Sequence, residues 1–167
     1  MILLLVFPII SSVEFDIKSE FKQGETLIAK VSGNFIKPIL KENIFFYRGH
    51  VRVPMEYNVA KIDNEFYIYA LLPETQNDYS ISIEDIEYMD GREVSYKDIV
   101  RNFSINNDTA DFFINPGFII SENDSEITVQ NLQNEKINIK SNINEDVVTL
   151  ISGEIKKIYF KLEDIGQ

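Results

Sequence analysis

The chain has no cysteine, no tryptophan and a single histidine, His50. Without cysteine there are no disulfides, no thiolate nucleophiles and no zinc sites with Cys ligands. With one histidine, multi-His metal centres and Cys–His dyads cannot form within one chain. Positive charge is scarce: 16 Lys and Arg stand against 27 Asp and Glu, for a net charge of −11. The basic residues are scattered, so the dense basic patch that displaces phosphate counterions is missing and no nucleic-acid partner is expected. No Gly-x-Ser-x-Gly elbow, EF-hand loop or other cofactor motif occurs, so no cofactor and no metal site are expected.

What is present is strand-forming sequence. Ile, Val, Phe and Tyr outweigh Ala and Leu. The clearest stretch is Asn64 to Ile86. Phe66 to Leu72 is a β-prone run stopped by Pro73, a polar turn follows, and Tyr79-Ser80-Ile81-Ser82-Ile83 alternates with period two. The two runs read as a central hairpin.

Met1 to Ser12 carries no charge, and Ile2 to Ile10 gives about nine apolar residues, too few for a spanning helix of about 20. This matches the apolar region of a secretory signal peptide, so 1–12 is assigned to one and the protein is expected outside the cytoplasm. A buried first strand is the alternative reading. From Val13 onward short alternating runs recur: Val13 to Lys18, Thr26 to Val31, Asn43 to Tyr47, then Val51 to Val59 with Pro54 inside it. Pro54 cannot donate to a ladder, which predicts an edge strand or a bulge there. Asp90-Gly91 marks a further hairpin. Ser95 to Val100 has capping-box spacing through Ser95 and Asp98, predicting one helical turn. About seven or eight short strands over 13–105 predict an immunoglobulin-like sandwich. Asn106 to Thr109 reads as a linker to a second, smaller β unit over 106–167. That unit is near the lower size limit for a core without disulfides or metal. It is expected to pack on the first unit or to need residues beyond Gln167.

Leu72-Pro73, a short polar turn and Tyr79-Ser80-Ile81 resemble the corner segment of fibronectin type III domains and related bacterial and archaeal sandwiches. The resemblance implies that the Tyr79 hydroxyl bonds back across the corner. A broader likeness covers most of Asp111 to Leu162. Asn115-Pro116-Gly117, Ile127-Thr128-Val129-Gln130-Asn131, Ile137-Asn138-Ile139, then Leu150, Gly153 and Ile158-Tyr159-Phe160 resemble small immunoglobulin-like domains of archaeal and bacterial cell-surface proteins. Such domains space, present or adhere. The likeness therefore implies an all-β chain of two tandem sandwiches and a non-enzymatic envelope role, with a cell-surface protein or a glycan as partner. Any membrane anchor would lie in residues beyond the chain.

Candidate site residues are few. His50 is placed at a turn tip between Arg48 and Arg52 and reads as an exposed turn residue. The carboxylates read as solvated faces. A calcium site would draw on Asp63 with Glu65 or Asp90, and a glycosidase pair would need two carboxyls about 5–10 Å apart in a cleft. Alternation over Phe66 to Ala70 puts Phe66, Ile68 and Ala70 on one face and Tyr67 and Tyr69 on the other. Together with Tyr88, these tyrosines form the candidate sugar-stacking platform of a carbohydrate-binding or enzyme-accessory module, the alternative function. Asn102, Asn107 and Asn123 head Asn-x-Ser/Thr sequons and are candidate glycosylation sites.

Overall fold

Period-two alternation is the pattern that most of the chain obeys, and it produces strands throughout. The computed structural model describes residues 13–140 and 147–165. The expected signal peptide, 1–12, lies outside them. Among the described residues there are fourteen strands, β1 Glu14–Ile17, β2 Glu20–Gln23, β3 Thr26–Ser32, β4 Ile44–Arg48, β5 Val51–Val53, β6 Tyr57–Ile62, β7 Glu65–Leu71, β8 Asn77–Asp90, β9 Glu93–Thr109, β10 Phe112–Asn115, β11 Ser125–Asn131, β12 Ile137–Lys140, β13 Val147–Leu150 and β14 Ile155–Phe160. A 3-10 turn at Lys41–Asn43 precedes β4, and the single helical turn α1 spans Leu162–Ile165. No helix among the described residues is long and apolar enough to cross a membrane.

The chain is all-β, and its larger part is a sandwich. One sheet runs β1-β3-β7-β6, antiparallel throughout; the other runs β2-β9-β8-β4-β5, with β2 parallel to β9. Alternate residues of each sheet point inward. Leu27, Ala29 and Val31 of β3 with Phe66, Ile68 and Ala70 of β7 meet Ile44 and Phe46 of β4, Ile81 and Ile83 of β8, and Phe103 and Ile105 of β9. Fully burying the Leu, Val, Ile and Phe side chains among these contributes about 1.5–3 kcal/mol each before entropy is subtracted.

A bulge in β8 keeps this burial continuous. Tyr79, Ile81 and Ile83 face the core on odd numbers, whereas Ile86 and Tyr88 are buried on even ones. The register against β9 shifts between Ile83 and Ile86, and Asp85 takes a left-handed φ of 56°. One inserted residue thus turns the later side chains to the opposite parity. The Asp98 carboxylate accepts the Asp85 N–H at 3.0 Å.

Several local expectations are corrected. β7 and β8 are not a hairpin: they lie in different sheets, and the connection after Pro73 carries the chain across the sandwich. Val51 to Val59 is not one strand. Pro54 ends β5 at the edge of the five-stranded sheet, and the chain resumes as β6 at the edge of the other sheet. Ser95 to Val100 is strand, not helix, because Asp98 bonds to the bulge instead of capping its own backbone. Asn106 to Thr109 continues β9 and is no linker. Tyr79 stacks on Phe103, with centroids 5.7 Å apart, and its hydroxyl has no hydrogen bond among the described residues. The phenol that braces the two sheets is Tyr57, whose hydroxyl donates toward the carbonyls of Lys41 and Ile44, each at 3.0 Å.

The second unit is two small sheets, β10-β11-β14 and β12-β13. Its fully buried centre holds Val129, Leu150 and one amide, Asn131. The Asn131 Nδ2 lies 2.7 Å from the Glu135 carbonyl, 3.2 Å from that of Leu150 and 3.0 Å from that of Ile151. Its Oδ1 accepts the Gln133 N–H at 2.8 Å. One side chain therefore ties the end of β11 to two turns. Replacing it by Ala strands several buried polar groups, so Asn131→Ala is expected to lose about 3 kcal/mol in chemical denaturation. Asn131→Asp sets a carboxylate against carbonyls, and only its protonated form can donate. Its deficit relative to the parent at the same pH should therefore shrink on acidification.

Candidate functional site

The three candidate platform tyrosines are not brought together. Tyr67 is half-buried on β7, and its hydroxyl donates to Glu65 at 2.9 Å. Tyr69 points outward from the sandwich, as alternation requires, but is only 7% exposed. Phe118 packs edge-on against it with centroids 5.1 Å apart. Tyr88 lies in the other sheet and is 8% exposed. No exposed ring platform results.

Tyr69 instead forms the joint between the two units. Gly117 passes so close that a Cβ there would stand 2.6 Å from the Tyr69 Cβ and 2.9 Å from the Ile28 Cδ1. The Thr26 hydroxyl donates to the Ile114 carbonyl at 2.8 Å, and Gln133 Nε2 donates toward the carbonyls of Thr109 and Ala110 at 3.0 and 3.1 Å. Gly24, at φ 73°, turns the chain from β2 to β3 where a Cβ would meet Leu132 at 2.8 Å. A Val at 117 cannot be seated without moving a buried ring and β-sheet side chains. Gly117→Val should open the joint at a cost of about 1–3 kcal/mol. Limited proteolysis should then cut faster between Ala110 and Ser121 while the sandwich core keeps its protection.

The remaining sequence candidates separate. His50 is exposed in the β4–β5 turn. Asp63 sits in the β6–β7 turn and Asp90 at the far end of β8 in the other sheet, and Glu65 is engaged by Lys30 at 3.1 Å. Among the described residues no group of three His, Asp or Glu side chains is arranged to hold a metal. Asn102, Asn107 and Asn123 are all exposed. Asn102 and Asn107 lie within β9, and the Asn107 side chain accepts from Gln23 at 3.3 Å. Asn123 lies in the loop before β11.

Two hollows stand out. One is apolar, about 650 Å³, with Ile62 on one side and Ile119, Ile120, Ile127, Phe160 and Leu162 on the other. The second is polar, about 480 Å³, on the outer face of the five-stranded sheet. Ser19, Gly49, Asp78, Ser80, Asn102 and Ser104 line it, over a floor that includes Tyr79 and Phe103. The ladder register explains this assembly. Asp78 pairs with Ser104, and Asn102, Ser80, Tyr47 and Arg52 form one row across β9, β8, β4 and β5. At the end of the row the Arg52 guanidinium lies over the Phe45 ring, 3.3 Å from its centroid, and the Tyr47 hydroxyl donates to Glu84 at 2.8 Å. Sequence reading missed this row because it is assembled from four separated segments. The visible signal was the run of serines on the polar parity of β8.

A scan against family models, a search of curated proteins and a search of solved structures each find no match to this chain. The fold and the site geometry define the class: an all-β chain built on a β-sandwich.

The surface charges make a pH window. The Lys30 ammonium and the Tyr67 hydroxyl hold the Glu65 carboxyl below its ordinary value. Lys37 does the same for Glu87 and Lys157 for Glu126; for Glu154 the Ile151 N–H comes first and Lys156 second. The bond to Glu84 raises the Tyr47 phenol, and burial raises those of Tyr57 and Tyr69. Depressed carboxyls contribute stability above the ordinary carboxylate range and lose it as pH falls through their lowered values. Raised phenols contribute below the ordinary phenol range and lose it as pH rises through their raised values. The melting temperature should be flat through neutrality, fall below about pH 4 and fall again above about pH 10.

Proposed function

We propose that the protein is an exported, non-enzymatic cell-envelope module that acts through its surfaces as a structural, adhesion or protein-interaction element. The observation that carries this is the strand order. The order β1-β3-β7-β6 in one sheet and β9-β8-β4 in the other supports an immunoglobulin-like reading, since it follows the sequence of an A-B-E-D and G-F-C division. β5 extends the second sheet as a further edge strand, and β2 closes its other side beside β9. The smaller unit, with its Val129-Gln130-Asn131 strand end, is the second immunoglobulin-like element of the pair. The joint at Tyr69 and Gly117 suits a spacer, since it fixes one unit on the other. The apolar segment Ile2 to Ile10 supplies the export signal. In this setting Asn107 and Asn123 are the sequons free of the polar hollow, and glycans there would project from the surface.

A second reading, a carbohydrate-binding module, is favoured by the hollow around Ser80 and Asn102 and not by the tyrosines first considered. The test of the main reading is the N-terminal sequence and cellular location of the protein expressed from its own start codon. A mature terminus near Val13 outside the cytoplasm is the expected result. An intact Met1 inside the cytoplasm would overturn it.

A further inference from the structure

The outer face of the five-stranded sheet is lined by groups that have a chemistry in common. Ser19, Ser80 and Ser104 each offer a hydroxyl that donates and accepts, Asn102 offers both functions on one amide, and Asp78 accepts on two oxygens. A polyhydroxylated ligand is complementary to such a set, because each of its hydroxyls also needs one donor and one acceptor. The hollow crosses the strands from Gly49 in the β4–β5 turn, over β8 and β9, to Ser19 before β2. Its volume of about 480 Å³ falls within the usual 300–1,000 Å³ range of small-ligand sites.

Other ligand classes fit less well. A peptide strand cannot add across the middle of the hollow, since Ser80 is paired with both Tyr47 and Asn102, and Ser104 with both Asp78 and Glu20. An anion meets no cation in the lining and one carboxylate, Asp78, within a chain of net charge −11. An apolar ligand would leave the hydroxyls and the amide unpaired. The small side chains of Ser80, Asn102 and Ser104 leave room above the sheet, while Tyr47 and Arg52 close the row at one end.

We infer that this hollow binds a neutral oligosaccharide, with Asp78, Ser80, Asn102 and Ser104 making the polar contacts. The inference names the partner class of the proposed envelope module and rests on that reading for its setting outside the cell. Binding by the purified protein and location in the cell can fail separately. The test uses the chain produced in a host that does not glycosylate, titrated by NMR with neutral glucan, mannan, galactan and N-acetylglucosamine oligosaccharides. At least one should give saturable shifts. Asp78→Ala and Asn102→Ala should each weaken that binding about tenfold, as loss of a hydrogen-bonding group at a ligand does. Ser80→Tyr, which fills the hollow, should abolish it. Val100→Ala, also exposed on β9 but outside the hollow, should leave it unchanged. Unchanged melting temperatures would show that the variants fold. No saturable binding by any of the four probes would overturn the inference, and so would binding that survives both Asn102→Ala and Ser80→Tyr. A glycan found by mass on Asn102 of the natively expressed protein would also overturn it, because the hollow would then hold the chain's own modification.

Discussion

Every strand of the sandwich has to keep its apolar parity toward one shared core, and the rest of the structure follows from that constraint. A strand offers one face per two residues, and a slip of one residue exposes the whole set. Where the sequence keeps parity, as in Leu27, Ala29 and Val31, the strand is regular. Where parity changes, the backbone compensates. Between Ile83 and Ile86 it does so by a bulge with Asp85 left-handed and Asp98 holding its N–H. Between Val53 and Tyr57 the chain leaves one sheet for the other at Pro54 and parity is kept, with Val53, Met55, Tyr57 and Val59 all packed on the core. At the bulge a polar residue marks the spot where continuous pairing would put the wrong face inward, whereas at Pro54 the lost N–H ends the ladder.

The smaller unit meets the same constraint with far less apolar material. Val129 and Leu150 alone do not make a core that would order about 50 residues against their conformational entropy. Asn131 contributes by direction instead of area, gathering three carbonyls and one N–H around a single buried amide. A buried polar group of this kind stabilises only when all of its bonds are made, so it also specifies one arrangement of the turns. The joint through Tyr69 adds the burial that the unit lacks by itself. That ties the position of the second unit to one outward face of the first.

How much of this was legible follows from the range of each signal. Strand identity was readable because period two is local: β3, β4, β7, the two halves of β8 and most strands of the second unit fall where alternation puts them. The Asp90-Gly91 hairpin was readable for the same reason. Pairing was not. A proline stop and a short polar turn after Leu72 are equally compatible with a hairpin and with a crossing between sheets, and only the tertiary arrangement decides. Ser95 and Asp98 carry helix-cap chemistry, but Asp98 finds its N–H thirteen residues away across the ladder. The outward facing of Tyr69 was correctly implied by alternation, whereas its burial depends on Phe118 and Gly117, nearly fifty residues later. Asn115-Pro116-Gly117 announced a turn, but nothing in it announced that the glycine is there for a neighbour's ring. The polar row on the five-stranded sheet was beyond sequence because its members become adjacent only through register.

The two outer faces of the sandwich are therefore not equivalent. The face of β3 and β7 is taken: Thr26 is bonded to Ile114, Ile28 and Tyr69 lie against Gly117, and Lys30 is held by Glu65. Its aromatic side chains, which alternation marks as available, are spent on internal cohesion. The face of β8 and β9 has no such cover among the described residues. Its side chains are short where the hollow lies and long only at the margin, where Arg52 rests on Phe45 and Tyr47 is bonded to Glu84. Marginal groups that already have partners are held in place, while the hydroxyls and amide between them keep their capacity for a further ligand. Attaching the second unit to one sheet leaves the outer face of the other sheet uncovered among the described residues, which is why the proposed ligand is placed there.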